Sequence, residues 1–242
     1  MSESELNHWL VRRYWTARTP LGRWWLNWCA RWKGHLWRCA VRGAEGIKRG
    51  FDFGVSLALI LALGPVFLLI ALLIKLEDGG AVMFAQTRVG KFGRQFKMFK
   101  FRSMCPDAER RLAEVLARNR HAHGVTFKLR DDPRITRVGR WLRKYSLDEL
   151  PQLFNVLRGD MSLVGPRPPL PREVALYSLA DRRRLAALPG ITCLWQIGGR
   201  SEIDFPGQVQ LDVRYIESQS FWVDLKILVR TIPAVLSSRG AC

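Results

Sequence analysis

The chain has 242 residues, of which 39 are lysine or arginine and 21 are aspartate or glutamate, so its formal net charge is +18 at pH 7. This surplus requires an anionic partner, which leaves nucleic acid, anionic lipid or phosphorylated substrates. The five cysteines are widely spaced and form no CxxC pair, which argues against a zinc site and against a disulfide framework.

Residues 1–47 are rich in tryptophan and arginine and hold seven of the ten tryptophans. Trp24, Trp28 and Trp32 recur at every fourth residue, which places them on one face of a helix. Indoles interleaved with arginines are typical of a helix lying in the interface of an anionic leaflet. Stacking on single-stranded nucleic acid is the alternative. We favour the membrane because of the segment that follows.

Residues 55–74 form a run of twenty residues without a charge, which is long enough to cross a bilayer as a straight helix. Gly64 and Pro65 lie at its midpoint, where proline removes a helical hydrogen bond and clashes with the preceding turn. Basic residues flank the run on both sides, so the positive-inside rule places both ends in the cytoplasm. We therefore predict a re-entrant helix broken at this Gly-Pro pair, with a kinked spanning helix as the alternative.

Residues 81–104 alternate apolar and basic side chains around two glycines, which predicts a β-hairpin. Lys100 and Arg102 would project from its second strand toward phosphate groups or toward solvent. A helix is expected from Pro106 to about Arg120, where apolar residues recur with helical spacing.

Three further segments complete the predicted soluble part. Residues 134–144 are expected to form a short basic helix, and residues 215–236 a helical C-terminal part with an amphipathic section. Residues 189–201 are interrupted by glycines and include Arg200, so we expect a loop that approaches a ligand.

Residues 141–168 hold two adjacent carboxylates, Asp148 and Glu149, with basic residues on either side. Such a pair among cations suits phosphoryl chemistry. The alternative is structural, because Ser146 and Glu149 also fit a capping box that begins a helix. Pro151 would then lie inside that helix, so a helix beginning at Pro151 is less costly, and this favours the chemical interpretation.

The sequence resembles the bacterial sugar transferases of the monotopic polyprenyl-phosphate phosphoglycosyl transferase type over roughly Lys48 to Ala241. One shared feature is the apolar run with its central proline. The sequence motifs that carry the resemblance are KRGFD (48–52), FAQTRVGKFGRQFKMFKFRSM (84–104), DPRITRVGRWLRKYSLDELPQLFNVLRGDMSLVGPRP (132–168), PGITCLWQIGGRS (189–201) and DLKILVRTI (224–232). Each motif alone is weak, but their order and spacing together are specific.

The resemblance implies an enzyme that moves a sugar-1-phosphate from a UDP-sugar donor to an undecaprenyl phosphate acceptor and releases UMP, which starts the assembly of a surface polysaccharide or glycan. It implies that Asp148 is the nucleophile and a Mg²⁺ ligand, and that Glu149 positions groups or acts as a base. Residues matching the family's phosphate-binding positions are Arg143, Arg167 and Arg200.

The expected fold is α+β and mainly helical, in a monotopic protein at the cytoplasmic face of the bacterial inner membrane. It would comprise an interfacial segment over 1–47, a re-entrant helix over 48–76 and a catalytic domain over 77–242, which holds the hairpin and interfacial amphipathic helices. Anionic lipid is an expected partner, nucleic acid is not, and a homodimer is left open. Two other functions remain as alternatives: a glycosyltransferase that releases UDP, and a basic adaptor without catalysis.

Overall fold

The computed structural model describes residues 3–108, 110–111, 132–199 and 203–236. The chain divides into two compact units, Met1–Gly50 and Phe51–Cys242. Most of the helix predicted from Pro106 to about Arg120 lies outside the described residues, and so does Arg200.

Helices dominate the described residues, and the strands are short, so the predicted α+β, mainly helical fold is confirmed. The α-helices of the described residues are α1 (Glu3–Arg18), α2 (Pro20–Ala62), α3 (Gly64–Asp78), α4 (Arg137–Lys144), α5 (Gln152–Arg158), α6 (Pro171–Val174), α7 (Leu194–Gly198), α8 (Phe205–Ser218) and α9 (Phe221–Leu236). The strands are β1 (Met83–Val89), β2 (Gln95–Phe101), β3 (Ser162–Val164) and β4 (Gly190–Thr192).

The apolar run is broken between α2 and α3, at the position predicted from Gly64 and Pro65. Leu63 leaves the helical conformation with φ −90° and ψ 4°, and the proline enters the first turn of α3, where its missing N–H costs no hydrogen bond. Of the described helices, none alone is long and apolar enough to cross a bilayer. The segments Glu45–Ala62 and Gly64–Asp78, bent by 61° at their junction, meet that test together.

The predicted hairpin is confirmed. Strands β1 and β2 pair antiparallel with Met83 opposite Phe101 and Val89 opposite Gln95. Because side chains alternate along a strand, Met98 is buried in the core while its neighbours point to the other face. The hairpin therefore places Arg88 and Lys100 on the same face as Met98, and Lys97 on the other face with Phe101.

A core of apolar side chains joins the hairpin to the helices of the second unit. Its fully enclosed members are Met98, Leu153, Val156, Met161, Leu163, Val164, Tyr215 and Ile227. The hydroxyl of Tyr215 donates to Asp224 Oδ1 at 2.7 Å and lies 2.9 Å from the carbonyl oxygen of Val164. These bonds tie α8 and α9 to strand β3, which precedes the Pro166–Pro168 segment.

Strands β3 and β4 pair parallel, with Ser162 opposite Gly190 and Val164 opposite Thr192. The prediction of a loop over 189–201 is therefore wrong in part, because the segment contains β4 and α7. The C-terminal region expected to be helical over 215–236 is also interrupted: α8 ends at Ser218 and α9 begins at Phe221.

Candidate active site

The carboxylate pair lies on a single 3₁₀ turn, Leu147–Glu149, between α4 and α5. Ser146 precedes it in the left-handed conformation with φ 55°, which is uncommon for a residue with a side chain. Its side chain makes no capping hydrogen bond, so the capping-box alternative is wrong. A strained residue two positions before the first carboxylate is consistent with a functional constraint on the placement of the pair.

Helix α5 follows at the place predicted from Pro151, which occupies its N-cap position. Gly159 ends the helix in the left-handed conformation, with φ 88°, as expected for a glycine at a helix C-terminus. The short helix fixes the direction of the chain after the carboxylates. Its buried residues face the core.

Strand β2 brings Lys100 to the carboxylates. Its Nζ donates to Glu149 Oε1 at 2.7 Å and lies 3.6 Å from Asp148 Oδ2. The buried Asn155 of α5 holds the strand in register. Its amide accepts from the backbone N–H of Phe99 at 2.9 Å and donates to the carbonyl oxygen of Lys97 at 2.7 Å. These two hydrogen bonds of Asn155 thus position Lys100 between the two carboxylates.

Two predicted phosphate-binding arginines also line this site. Arg143 lies at the end of α4, and Arg167 lies between two prolines with its Nη1 3.6 Å from Glu149 Oε1. The flanking prolines restrict the backbone around Arg167, which limits where its guanidinium can reach. The structure therefore brings together the carboxylate pair and three of the five predicted cations.

Arg102 is placed elsewhere. Its guanidinium forms a two-pronged ion pair with Asp78 at the end of α3, and its Nε donates to the carbonyl oxygen of Ala81. It does not line the cavity that holds Asp148. Arg102 follows the last residue of β2, so it joins the hairpin to the broken apolar helix.

A cavity of about 630 Å³ holds these side chains. Its charged part contains Arg88, Lys100, Arg143, Asp148, Glu149, Arg167 and Arg172. Another part of its lining is apolar and comes from the end of α2, from Leu63 and from α9: Leu59, Leu63, Leu228, Ala234 and Val235. The cavity can therefore accept a ligand that carries both phosphate groups and an apolar chain.

The pKa values of the two carboxyl groups shift in opposite directions. Burial raises the pKa of Asp148, and the adjacent negative charge of Glu149 adds to the rise, while Lys100 opposes it. Burial also opposes ionisation of Glu149, but Lys100 and Arg167 outweigh that effect and lower its pKa to about 2. Asp148 is thus the more basic of the pair, and Glu149 stays ionised at any ordinary pH.

Sequence reasoning assigned no site role to three cations that line the cavity, Arg88, Arg172 and Arg184. Burial, with repulsion from Arg167, lowers the pKa of Arg88 to about 10, so it remains charged near neutral pH. Arg88 donates to the carbonyl oxygen of Pro168 at 2.9 Å. The alternation of apolar and basic residues over 81–104 includes Arg88 and could have indicated it. Arg184 lies in a run of three arginines, a pattern that indicates only a solvated surface.

The donor set suits Mg²⁺ shared with a substrate. Among the described residues, no group of three or more acidic, histidine or cysteine side chains is arranged to hold a metal ion. Two neighbouring carboxylates are present, and Mg²⁺ commonly binds through one or two carboxylates together with substrate phosphates and water. Asp148 and Glu149 therefore fit an ion that arrives with a diphosphate.

The model of the bacterial sugar transferase family matches residues 43–238. The chain belongs to this family. The transferase is 45% identical over 206 residues to the exopolysaccharide production protein ExoY of Sinorhizobium fredii, covering 84% of this chain and 91% of that protein.

Two longer relatives name a reaction. The undecaprenyl-phosphate galactose phosphotransferase of Salmonella typhimurium is 44% identical over 206 residues, covering 84% of this chain and 43% of the relative. The undecaprenyl-phosphate glucose phosphotransferase of Komagataeibacter xylinus is 44% identical over 207 residues, covering 80% of this chain and 36% of the relative. The chain spans less than half of these two relatives. The predicted family and enzyme class, transferase of a phosphorus-containing group, are confirmed.

Proposed function

We propose that this transferase moves a sugar-1-phosphate from a UDP-sugar to undecaprenyl phosphate through a covalent intermediate on Asp148. The observation that carries the proposal is a buried Asp148 whose pKa is raised while Lys100, Arg143 and Arg167 surround it. A carboxylate with raised basicity is a better nucleophile, and the cations reduce its repulsion from an anionic diphosphate.

In the first step, an oxygen of ionised Asp148 attacks the phosphorus that carries the sugar. The bond from that phosphorus to the oxygen bridging the two phosphates breaks, and UMP leaves with the electron pair. Arg167 and Lys100 lie where they can bind the phosphate oxygens as charge moves onto the leaving group. The product is an acyl phosphate, a mixed anhydride between the Asp148 carboxyl group and the sugar phosphate.

In the second step, an oxygen of undecaprenyl phosphate attacks the same phosphorus. The bond between phosphorus and the Asp148 oxygen breaks, which restores the carboxylate and yields undecaprenyl-diphosphate sugar. The apolar lining of the cavity by Leu59 and Leu228 supports binding of the first part of the lipid chain there. Glu149, held ionised by Lys100, positions the cations around the reacting phosphates.

Asp148 would hold Mg²⁺ together with the donor phosphates, and Glu149 is the second carboxylate within reach of the site. The ion, when bound, would neutralise part of the charge on the diphosphate.

The broken apolar helix supports placement of this site at the cytoplasmic surface of the inner membrane. Large apolar side chains of α2 and α3 are exposed, among them Leu61, Leu68, Leu72 and Leu76. An apolar surface of this extent is typical of a membrane contact. A re-entrant helix would hold the cavity at headgroup depth, where the phosphate of a membrane lipid lies.

The test is to identify the released nucleotide. Purified transferase would be incubated with Mg²⁺, undecaprenyl phosphate and each of a panel of UDP-sugars, and the nucleotide products would be separated by chromatography. UMP released with at least one sugar, and absent with Asp148→Asn, is the expected result. Release of UDP would show that only the sugar moves, and it would overturn the proposal.

A further inference from the structure

A tryptophan face on α2 is not accounted for by the reaction or by the family. It lies before residue 43, where the match to the family begins. Its members share one side of the helix within an arc of about 100°: Leu21, Trp24, Trp25, Trp28 and Trp32. The four indole side chains are between 41% and 62% exposed, a large apolar surface for a solvated helix.

Positive charge is concentrated in the same part of the chain. Residues 1–50 contain ten lysines and arginines and three glutamates, a net charge of +7 by subtraction. Arg31 lies beside the indoles in the helical projection, and Arg23 and Lys33 lie on the opposite side. A helix with an aromatic face, and with cations beside and opposite that face, complements a surface that is apolar below and negatively charged above, which is the interface of an anionic bilayer.

The indole rings are already engaged with one another. The ring centroids of Trp25 and Trp28 are 5.3 Å apart and nearly parallel, those of Trp28 and Trp32 are 5.7 Å apart, and Trp24 stacks at 6.4 Å from Trp28. Stacking on nucleic acid requires ring faces free for bases, and here neighbouring indoles cover part of those faces. A second copy of this helix would bring two segments of charge +7 together, which like-charge repulsion disfavours.

We propose that the tryptophan face of α2 is a binding surface for anionic phospholipid. The indoles enter the headgroup region, Arg31 contacts lipid phosphates beside them, and Arg23 and Lys33 add to the attraction of the helix to the anionic surface. This inference does not depend on the transferase reaction, and it gives the segment outside the family match a role of its own in selecting membrane by charge.

The test uses the full chain in nanodiscs of phosphatidylcholine with brominated acyl chains, which quench nearby tryptophan emission. Discs with and without about 30% phosphatidylglycerol are compared, because anionic lipid raises the attraction of basic segments. One variant combines Trp24→Ala, Trp28→Ala and Trp32→Ala, and another combines Arg23→Gln, Arg31→Gln and Lys33→Gln. Asn27→Ala, on the same helix and outside the tryptophan face, is the matched control.

We expect phosphatidylglycerol to raise the quenched fraction about twofold in the wild type and in Asn27→Ala. The rise should disappear in both triple variants, while circular dichroism shows unchanged helix content. Equal quenching of the wild type and the tryptophan variant would overturn the proposal. So would protection of these indoles by a single-stranded oligothymidylate, or by self-association of the chain, without any response to lipid.

Discussion

The ammonium group of Lys100 lies 2.7 Å from a carboxylate oxygen of Glu149, although 49 positions separate the two residues in the chain. The same nitrogen lies 3.6 Å from Asp148. One lysine on the hairpin therefore acts on both carboxylates: it lowers the pKa of Glu149, and it opposes the rise that burial causes in the pKa of Asp148.

Replacement of Lys100 should move the pH dependence of the reaction. The nucleophile must be ionised, so turnover falls as pH drops through the pKa of Asp148, and Lys100 lowers that pKa. In Lys100→Met the acidic limb of kcat against pH should therefore move to higher pH. Lys97→Met is the matched control, because Lys97 lies on the same strand and donates to Thr87 at 2.9 Å. An unshifted limb in Lys100→Met would contradict this role.

Arg167 should contribute to binding of the donor. Arg167→Gln removes a cation beside Glu149 and is expected to raise KM for the UDP-sugar by about tenfold or more, since a hydrogen bond to a charged group contributes about 1.5–3 kcal/mol. Arg167→Lys should restore part of the loss. Arg183→Gln is the control, because Arg183 pairs with Glu217 at the surface. Equal KM values for Arg167→Gln and Arg183→Gln would refute the assignment.

The close approach of Gly190 to Gly165 should limit substitution there. A Cβ on Gly190 would lie 2.0 Å from the backbone nitrogen of Gly165 and 2.6 Å from its oxygen. Gly190→Ala should therefore destabilise the fold by about 1–3 kcal/mol, as overpacking does. Gly198→Ala, where nothing lies within 4 Å, should change the melting temperature little. Thermal unfolding in detergent measures both variants, and equal melting temperatures would contradict the packing argument.

The sequence was sufficient where a local rule decides the structure. Proline and glycine chemistry predicted the break at Gly64 and Pro65 and the beginning of α5 near Pro151. Alternation of apolar and basic residues predicted the hairpin. Each of these features depends on the backbone properties of a few neighbouring residues.

The sequence was insufficient where contacts between distant segments decide. Ser146 and Glu149 have the spacing of a capping box, yet Lys100 from another element binds the glutamate. The glycines at 190, 198 and 199 suggest a loop, but Gly190 lies in a strand because its missing side chain allows β4 to approach Gly165. The partner of Arg102, Asp78, is 24 positions away, and no local pattern indicates it.

The two chain termini should lie on the same side of the membrane. A helix that enters at its basic N-terminal flank and bends at Pro65 returns to the side with the other basic flank. Reporter proteins fused at residue 1 or at residue 242 should both be active only in the cytoplasm. A paired reporter that is active only outside the cytoplasm serves as the control at each position. Opposite sides for the two termini would exclude the re-entrant helix.

The covalent intermediate tests the central claim most directly. The transferase would be incubated with the UDP-sugar that supports turnover, radiolabelled in the phosphate next to the sugar, without undecaprenyl phosphate. The label should become attached to the peptide that contains Asp148, and should leave as lipid product when undecaprenyl phosphate is added. Asp181→Asn, altered at an aspartate whose carboxylate accepts hydrogen bonds from Ser178, should still be labelled, and Asp148→Asn should not. Product formation without labelled protein, or label retained in Asp148→Asn, would contradict the account.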